Sequence, residues 1–240
     1  MGSDSINSSI VSYGIACVRK NDQSGNYEIL MIKKKNTYHF IDFVWGKYDI
    51  SKTQDLEHMF EGMTINEKSM IRTMNFDVIW EYCNHINPNR TIYNRGNRKF
   101  KQLLDKGEAH LLKLISNTKV SNLFWEIPKG RLNKKELPLN AAIREFKEET
   151  NISKNQYRIL FDEGVIEYVF VDCGIRYKYI YYIAILDSNV NPKYIFINDN
   201  MMNELSDISF MSSNAIQQFN NKRLAKIARV IIKKSKKYFA

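Results

Sequence analysis

The stretch that most restricts what this chain can be is Gly130 to Ile152, GRLNKKELPLNAAIREFKEETNI. At its centre stand Arg144, Glu145, Phe146, Lys147, Glu148 and Glu149. On a helix, Glu145, Glu148 and Glu149 fall at i, i+3 and i+4 and share one face. They would span only roughly 6 Å along the axis. Like charges so placed weaken a helix by about 0.2–0.5 kcal/mol a pair, and acids near a helix C-terminus oppose its dipole. Acids gathered against both tendencies point to a cation. Hard divalent ions take carboxylate oxygens, and Mg²⁺ binds through one or two carboxylates together with waters and substrate phosphates. Glu145, Glu148 and Glu149 are therefore the candidate ligands for Mg²⁺ or Mn²⁺.

The spacing resembles the Nudix box: Gly, five residues, Glu, seven residues, Arg-Glu, an apolar residue, any residue, Glu-Glu, any residue, Gly and an apolar residue. Here the pattern reads Gly130, Glu136, Arg144, Glu145, Phe146, Glu148, Glu149 and Ile152, with Asn151 where the family has Gly. The residue closing such a helix needs a left-handed backbone, which Asn accepts most readily after Gly. Asn151 is expected to keep the turn. The resemblance implies an α/β fold, the Nudix α/β/α sandwich on a mixed sheet. It also implies metal-dependent hydrolysis of a nucleoside diphosphate linked to another group, by water attack on phosphorus.

Residue by residue, the resemblance implies Glu145 and Glu149 as metal ligands. Glu136 is a further ligand candidate, or the salt-bridge partner that orients Arg144. Lys129, Gly130 and Arg144 would meet the substrate. The general base is either a box Glu, since clustered carboxylates raise one another's pKa when no metal is bound, or Glu204 from a later loop. Asp172 closes a strand and could join the metal set or cap a turn.

A chain of 240 residues, 44% hydrophobic, suits one large domain or one domain with a substantial insert. No run approaches the roughly 18 apolar residues of a membrane span, and no charged-then-apolar leader stands at the start. Cys17, Cys83 and Cys173 are odd in number and far apart, which argues for free thiols in a reducing compartment, the cytoplasm. The four histidines are scattered, so zinc chemistry has little support.

Taken in order, Val11–Val18 and Tyr27–Lys33 read as a strand hairpin around the turn NDQSGN. Residues 1–36 thus begin the Nudix domain. From 37 to 120 the pattern becomes helical, an insert. Thr64 and Glu67 form a capping box, and Met70, Met74, Val78 and Tyr82 continue it as one helical stripe. Asn87-Pro88-Asn89 ends that helix. Lys99–Ser116 reads as another, with Leu103, Leu104, Leu111, Leu114 and Ile115 apolar. Residues 121–240 return to the Nudix domain. Strands are expected at Leu123–Ile127, Gly164–Asp172, Tyr177–Leu186, Tyr194–Ile197 and Glu204–Phe210, with a turn at Cys173-Gly174. A long amphipathic helix follows over Asn214–Phe239, with Ile216, Phe219, Ile227, Val230 and Ile231 inward.

The net charge is +10, and its distribution narrows the substrate. No acid occurs from Ile208 to Ala240, which holds eight lysines and arginines, from Lys222 to Lys237. The insert has its own basic run, Arg90, Arg95, Arg98, Lys99 and Lys101, interleaved with Tyr93 and Phe100. Cations beside rings suit single-stranded nucleic acid, although the rings could instead fill the insert's core. A hairpin, a helical insert and a Trp-Glu-Ile-Pro-Lys-Gly lead into the box resemble the decapping Nudix enzymes of large cytoplasmic DNA viruses. That resemblance implies capped RNA as the partner and the insert as its RNA-binding domain, with host translation shutoff as the consequence. Inositol pyrophosphates are the alternative substrate, a second copy of the chain is a further candidate partner, and no membrane contact is expected. A non-catalytic RNA-binding protein is the remaining reading.

Overall fold

The structure, a computed structural model, describes residues 9–83, 90–117, 122–172, 175–186, 204–219 and 221–239, with only the backbone of Asn117 and Asp172. The turns expected at Asn87-Pro88-Asn89 and Cys173-Gly174 and the strand at Tyr194–Ile197 lie outside the described residues. Contacts divide the chain into two compact units. One is Met1–Lys33 with Trp125–Met202 and Asp207–Ala240, and the other is Lys34–Phe124 with Asn203–Ser206.

The first unit is built on a mixed sheet. Its strands are β1 Ile10–Lys20, β2 Tyr27–Lys34, β3 Trp125–Glu126, β4 Lys129–Gly130, β5 Tyr157–Ile159, β6 Val165–Asp172, β7 Ile175–Leu186 and β8 Leu205–Ser212. The order is β3-β2-β1-β7-β5, with β4 on β1, β6 on β7 and β8 on β2. β1 runs parallel to β7, from Ile10 opposite Tyr177 to Val18 opposite Ile185, while β2, β4, β5 and β6 pair antiparallel. The central strands are apolar almost continuously, which is what a sheet covered on both faces requires.

Two helices supply the cover. Period-2 alternation sends Ala16, Val18, Ile29 and Met31 to one face, where they pack with Leu224, Ala225, Ala228, Ile231 and Ile232. Each fully buried Val, Leu, Ile or Met among them contributes about 1.5–3 kcal/mol. Ile15, Cys17, Leu30 and Ile32, also buried, point to the opposite face. There the helix Pro138–Thr150 packs on β1 through Ala141, Ala142 and Phe146.

The long C-terminal helix expected over Asn214–Phe239 is two helices, Ser213–Gln217 and Lys222–Ser235. Asn221 divides them because its side chain accepts from Leu224 N at 3.0 Å and starts a new helix. The inward face is correspondingly shifted: Ile216 and Ile231 are buried, Ile227 is half-buried, and Phe219 and Val230 are exposed.

The second unit is helical. Its helices are α1 Tyr38–Val44, α2 Thr53–Glu61, α3 Ile65–Thr73, α4 Phe76–Cys83, α5 Arg90–Leu104 and α6 Glu108–Asn117. Continuing this count, α7 is Pro138–Thr150, α8 is Ser213–Gln217 and α9 is Lys222–Ser235. Phe40, Phe43, Phe60, Phe76, Trp80 and Phe100 fill the unit's centre. The capping box forms as expected: Glu67 N donates to Thr64 Oγ1, and Thr64 N donates to Glu67 Oε2 at 2.7 Å.

The Met70–Met74–Val78–Tyr82 stripe does not form one helix. Met74 is extended (φ −109°, ψ 151°), and Asn75 recaps the chain by accepting from Val78 N at 3.0 Å. Met74 and Val78 are exposed, and α4 buries Phe76, Ile79 and Trp80 instead. Lys99–Ser116 likewise breaks, at Gly107, whose φ of +91° no ordinary helix residue adopts, and Leu104 is left exposed. No helix among the described residues is long and apolar enough to cross a membrane.

Candidate metal and pyrophosphate site

The box is positioned by how its helix begins and ends. Pro138 takes the first helical position, where a missing N–H costs nothing. Asn151 closes α7 in the left-handed conformation (φ 56°, ψ 10°), and its N–H donates to Lys147 O at 2.8 Å. Asn at the family's Gly position therefore keeps the turn. Thr150, fully buried, donates from Oγ1 to Phe146 O and accepts from Ile152 N, which ties the turn back to the helix.

Ahead of the helix, β4 lies on β1, with Gly130 opposite Tyr13 and Lys129 opposite Gly14. Both glycines are needed for close approach. A Cβ on Gly14 would stand 2.1 Å from Pro128 O, and one on Gly130 would stand 1.9 Å from Glu145 Cδ. The Glu145 carboxylate thus lies directly against the backbone of Gly130.

The other acids are held from two sides. Glu149, 5% exposed, accepts from Lys129 N at 2.9 Å through Oε2. Arg144 grips Glu136 with both arms, Nε to Oε1 at 2.8 Å and Nη2 to Oε2 at 2.9 Å. Its Nη1 donates to Glu145 Oε1 at 2.7 Å and to Glu148 Oε2 at 2.9 Å. Asn133 N also donates to Glu136 at 2.9 Å. These donors hold the Glu136 carboxyl down at about 2, with the Arg144 hydrogen bonds the largest cause. Glu136 above all, with Glu145 and Glu148, pushes the Arg144 guanidinium up.

Glu145, Glu148 and Glu149 share α7: the first two meet at Arg144 Nη1, while Glu149 turns to the amide of Lys129. Among the described residues no three acidic, histidine or cysteine side chains form a preformed metal cage. Arg144 donates to both Glu145 and Glu148, and the Lys129 amide to Glu149. The donor set nonetheless suits a hard divalent cation, since all its atoms are carboxylate oxygens. The cradle at Gly130 also leaves room for the Glu145 carboxylate that a side chain would fill.

Of the remaining candidates, Glu136 is placed on Arg144 as described. Lys129 is buried, its Nζ 2.7 Å from Glu126 Oε2 and 4.6 Å over the Tyr179 ring. Glu204 belongs to the second unit, where its exposed carboxylate lies 3.8 Å from Lys34 Nζ. Asp172 ends β6, and its side chain is outside the described residues.

In the second unit the basic run is helix α5. Arg90, Arg98 and Lys101 are exposed. Arg95 donates to Trp45 O at 2.8 Å and Lys99 to Tyr48 O, so both are already used on backbone carbonyls. The rings expected to stack on bases are packed inward. Phe100 is buried, and Tyr93 lies 5.5 Å from Phe76 and 5.3 Å from Trp80. An amphipathic helix at these positions forces that outcome, because the ring positions share the face turned to the core.

Sequence reasoning passed over Glu126. Its signal was its spacing of three from Lys129, inside the strand-turn phrase that leads into the box.

The Glu136 clamp makes an acid-side prediction. Its folded value is depressed, so the stability it adds is complete above about 4.5 and is lost as pH falls from there toward about 2. The difference in thermal midpoint between the protein and Glu136→Gln should therefore narrow over that window. A gap that stays constant down to the bottom of the window would show that the clamp adds nothing.

The chain is similar to known proteins along most of its length. The NUDIX domain family matches residues 103–234. The match begins inside α5 although β1 and β2 belong to the same compact unit, because the helical unit separates them from the box in sequence. The mRNA-decapping protein g5R of African swine fever virus (isolate Warthog/Namibia/Wart80/1980) is 31% identical over 227 residues, 92% of each chain. That of the Badajoz 1971 Vero-adapted strain is 33% identical over 219 residues, 88% of this chain and 87% of that one. Among solved structures, Ap4A hydrolase from C. elegans matches over 97% of this chain and all of its own, at 17% identity and a TM-score of 0.46.

Proposed function

The chain belongs to the NUDIX family of hydrolases, and from that membership we propose that it removes the 7-methylguanosine cap from mRNA. The products are 7-methylguanosine diphosphate and RNA with a 5′-monophosphate. The observation that carries this reading is the likeness, at about a third identity and along nine-tenths of the chain, to relatives described as mRNA-decapping proteins. It joins a box whose acids and Arg144 follow the Nudix spacing from Gly130 to Ile152.

Glu145, Glu148 and Glu149 would hold Mg²⁺ or Mn²⁺. When bound, the ion supplies charge neutralisation on the phosphate oxygens and a lowered pKa for water. The chain's own residues do the rest. Lys129 N–H fixes the Glu149 rotamer, and Gly130 lets Glu145 lie against the strand. Arg144, once its bonds to Glu145 and Glu148 are exchanged, keeps its two-armed hold on Glu136 and turns Nη1 toward the substrate phosphates. Glu148 is the most open of the three, its side chain 57% exposed, and can accept the proton from attacking water. Glu204 remains the alternative base.

The RNA-binding reading of the insert rests on Arg90, Arg98 and Lys101, the cations of α5 that are exposed and bound to no carbonyl in the described set. Arg98→Glu combined with Lys101→Glu should weaken capped-RNA binding, lower the salt slope by about two, and spare the free cap analogue. Equal loss on both substrates would refute the assignment. Arg95 and Lys99 are poor probes, because reversing them also breaks bonds to Trp45 O and Tyr48 O.

The deciding experiment is turnover of cap-labelled RNA with Mg²⁺ or Mn²⁺, competed by free cap analogue and by an inositol pyrophosphate. Label should leave as 7-methylguanosine diphosphate, and a chelator should stop it. If capped RNA stays intact while the inositol pyrophosphate is cleaved, the decapping reading fails.

A further inference from the structure

The basic C-terminal run lies within the first unit and has no part in the box. Its helix, α9, runs beside strand β6, and a groove of about 680 Å³ lies between them. The floor is the face of β6 that carries Ile166, Tyr168 and Phe170. Ile166 packs into the core beneath α9, and alternation along the strand puts Tyr168 and Phe170 on the same side. Both rings are only half-buried. They stack on each other with centroids 5.3 Å apart, and Phe170 stacks on Tyr177 at 5.1 Å. The opposite wall presents Arg223, Lys226 and Lys234. The acid at the rim, Glu167, is neutralised by Lys178 at 2.8 Å. Lys234 is already used by Glu163, donating to its backbone O at 2.7 Å and lying 3.6 Å from its carboxylate, whereas Arg223 and Lys226 are exposed and no acid follows Asp207 in the sequence.

The groove also has a physical route to the box. Lys129 donates its amide to Glu149, and its Nζ sits over the Tyr179 ring. Tyr179 in turn lies 5.2 Å from Phe170 and 6.3 Å from Tyr168. One residue therefore touches the box acid with its backbone and the ring ladder with its side chain.

A compact phosphate would want its cations converging on one point. Here Arg223 and Lys226 are one turn apart, and Lys234 lies about 12 Å further along the axis. Cations strung along a helix above a floor of stacked rings match an extended polyanion with flat faces. That is the chemistry of single-stranded nucleic acid, in which bases stack on rings and cations follow the backbone. An acidic polypeptide would use the cations and leave the rings idle.

We propose that this groove holds the single-stranded RNA that follows the cleaved pyrophosphate. Its bases rest on Tyr168, at the end of the ring stack that Phe170 and Tyr177 continue, and its phosphates lie against Arg223 and Lys226. The proposal rests on the decapping reading for the identity of the strand, but the groove can be tested without turnover.

The test compares the full-length protein with Arg223→Glu/Lys226→Glu and, separately, with Tyr168→Leu, which keeps apolar bulk and removes the ring. Affinity for an uncapped single-stranded RNA is read by fluorescence anisotropy across a salt series, beside turnover of capped RNA and of free cap analogue. The double variant should bind RNA about tenfold more weakly with a salt slope smaller by about two. Tyr168→Leu should bind several-fold more weakly with an unchanged slope. Turnover of the cap analogue should be unaltered in both. Wild-type RNA affinity in the double variant overturns the proposal, whether or not the protein decaps. So does competition by polyglutamate as strong as by RNA of equal charge, which would assign the groove to an acidic protein. If RNA affinity falls as expected but no variant, nor the unaltered protein, cleaves capped RNA, the groove stands and the decapping reading falls.

Discussion

Replacing Glu149 with Gln should lower kcat on capped RNA about 10³-fold, while the fold and the affinity for RNA persist. The size follows from several kcal/mol of transition-state charge stabilisation by a bound cation, at about 1.4 kcal/mol per factor of ten. Persistence of the fold follows from the geometry. Glu149 is buried and accepts from Lys129 N at 2.9 Å, and the Gln amide oxygen can accept the same bond. What the substitution removes is the negative charge. Single-turnover hydrolysis of cap-labelled RNA, together with a circular dichroism melt, checks it. Turnover within tenfold of the unaltered protein would mean that Glu149 holds no catalytic cation.

The second large effect concerns the helical unit. Glu67 is 3% exposed and accepts three hydrogen bonds. Two come from Thr37, through N at 2.7 Å and Oγ1 at 2.9 Å, and one from Thr64 N at 2.7 Å. One carboxylate thus joins the start of α1 to the start of α3. Glu67→Ala leaves the Thr37 donors buried without their acceptor, at about 1–3 kcal/mol each. Thr37 Oγ1 can rotate to recover part of this, so a loss of about 3 kcal/mol is expected in urea unfolding of the helical unit. Glu67→Gln should recover part of the loss, because its oxygen still accepts. An unfolding midpoint that does not move in Glu67→Ala would show that the helices hold this junction by apolar packing alone.

The two predictions separate the roles of the acids. Glu67 is buried among donors that belong to the fold, and its removal should be seen in unfolding. Glu149 is buried on the helix that carries the other box acids, held by a single backbone amide of β4 in the bond described, and its removal should be seen in turnover.

Much of the architecture was legible in the residues. The box announced α7 through its spacing, and the Gly-to-Asn departure was readable because a helix end demands a left-handed residue whatever surrounds it. The capping box at Thr64 and Glu67 was legible for the same reason: its partners lie three residues apart. The two apolar runs on either side of the turn NDQSGN marked β1 and β2 as the start of a sheet. Where reading failed, the local signal was outvoted. A four-residue stripe from Met70 to Tyr82 was interrupted by Asn75, whose side chain caps a new helix. Asn221 did the same to the C-terminal helix. Periodicity records which residues would share a face if the helix continued, and it is silent on whether a side chain in the middle offers the backbone a better partner.

The site divides along the same line. The amino-acid order by itself determined which acids lie on one helix, that a glycine precedes them, and where positive charge accumulates, because these depend on separations of a few residues. Only the tertiary structure decided what each group touches. It set Arg144 among Glu136, Glu145 and Glu148, and Glu149 on the amide of Lys129. It turned Tyr93 and Phe100 into a core and bound Arg95 and Lys99 to carbonyls about fifty residues away in sequence. It also laid α9 beside the rings of β6. Such contacts join residues remote in the chain, and their choice is governed by burial and by competition among partners.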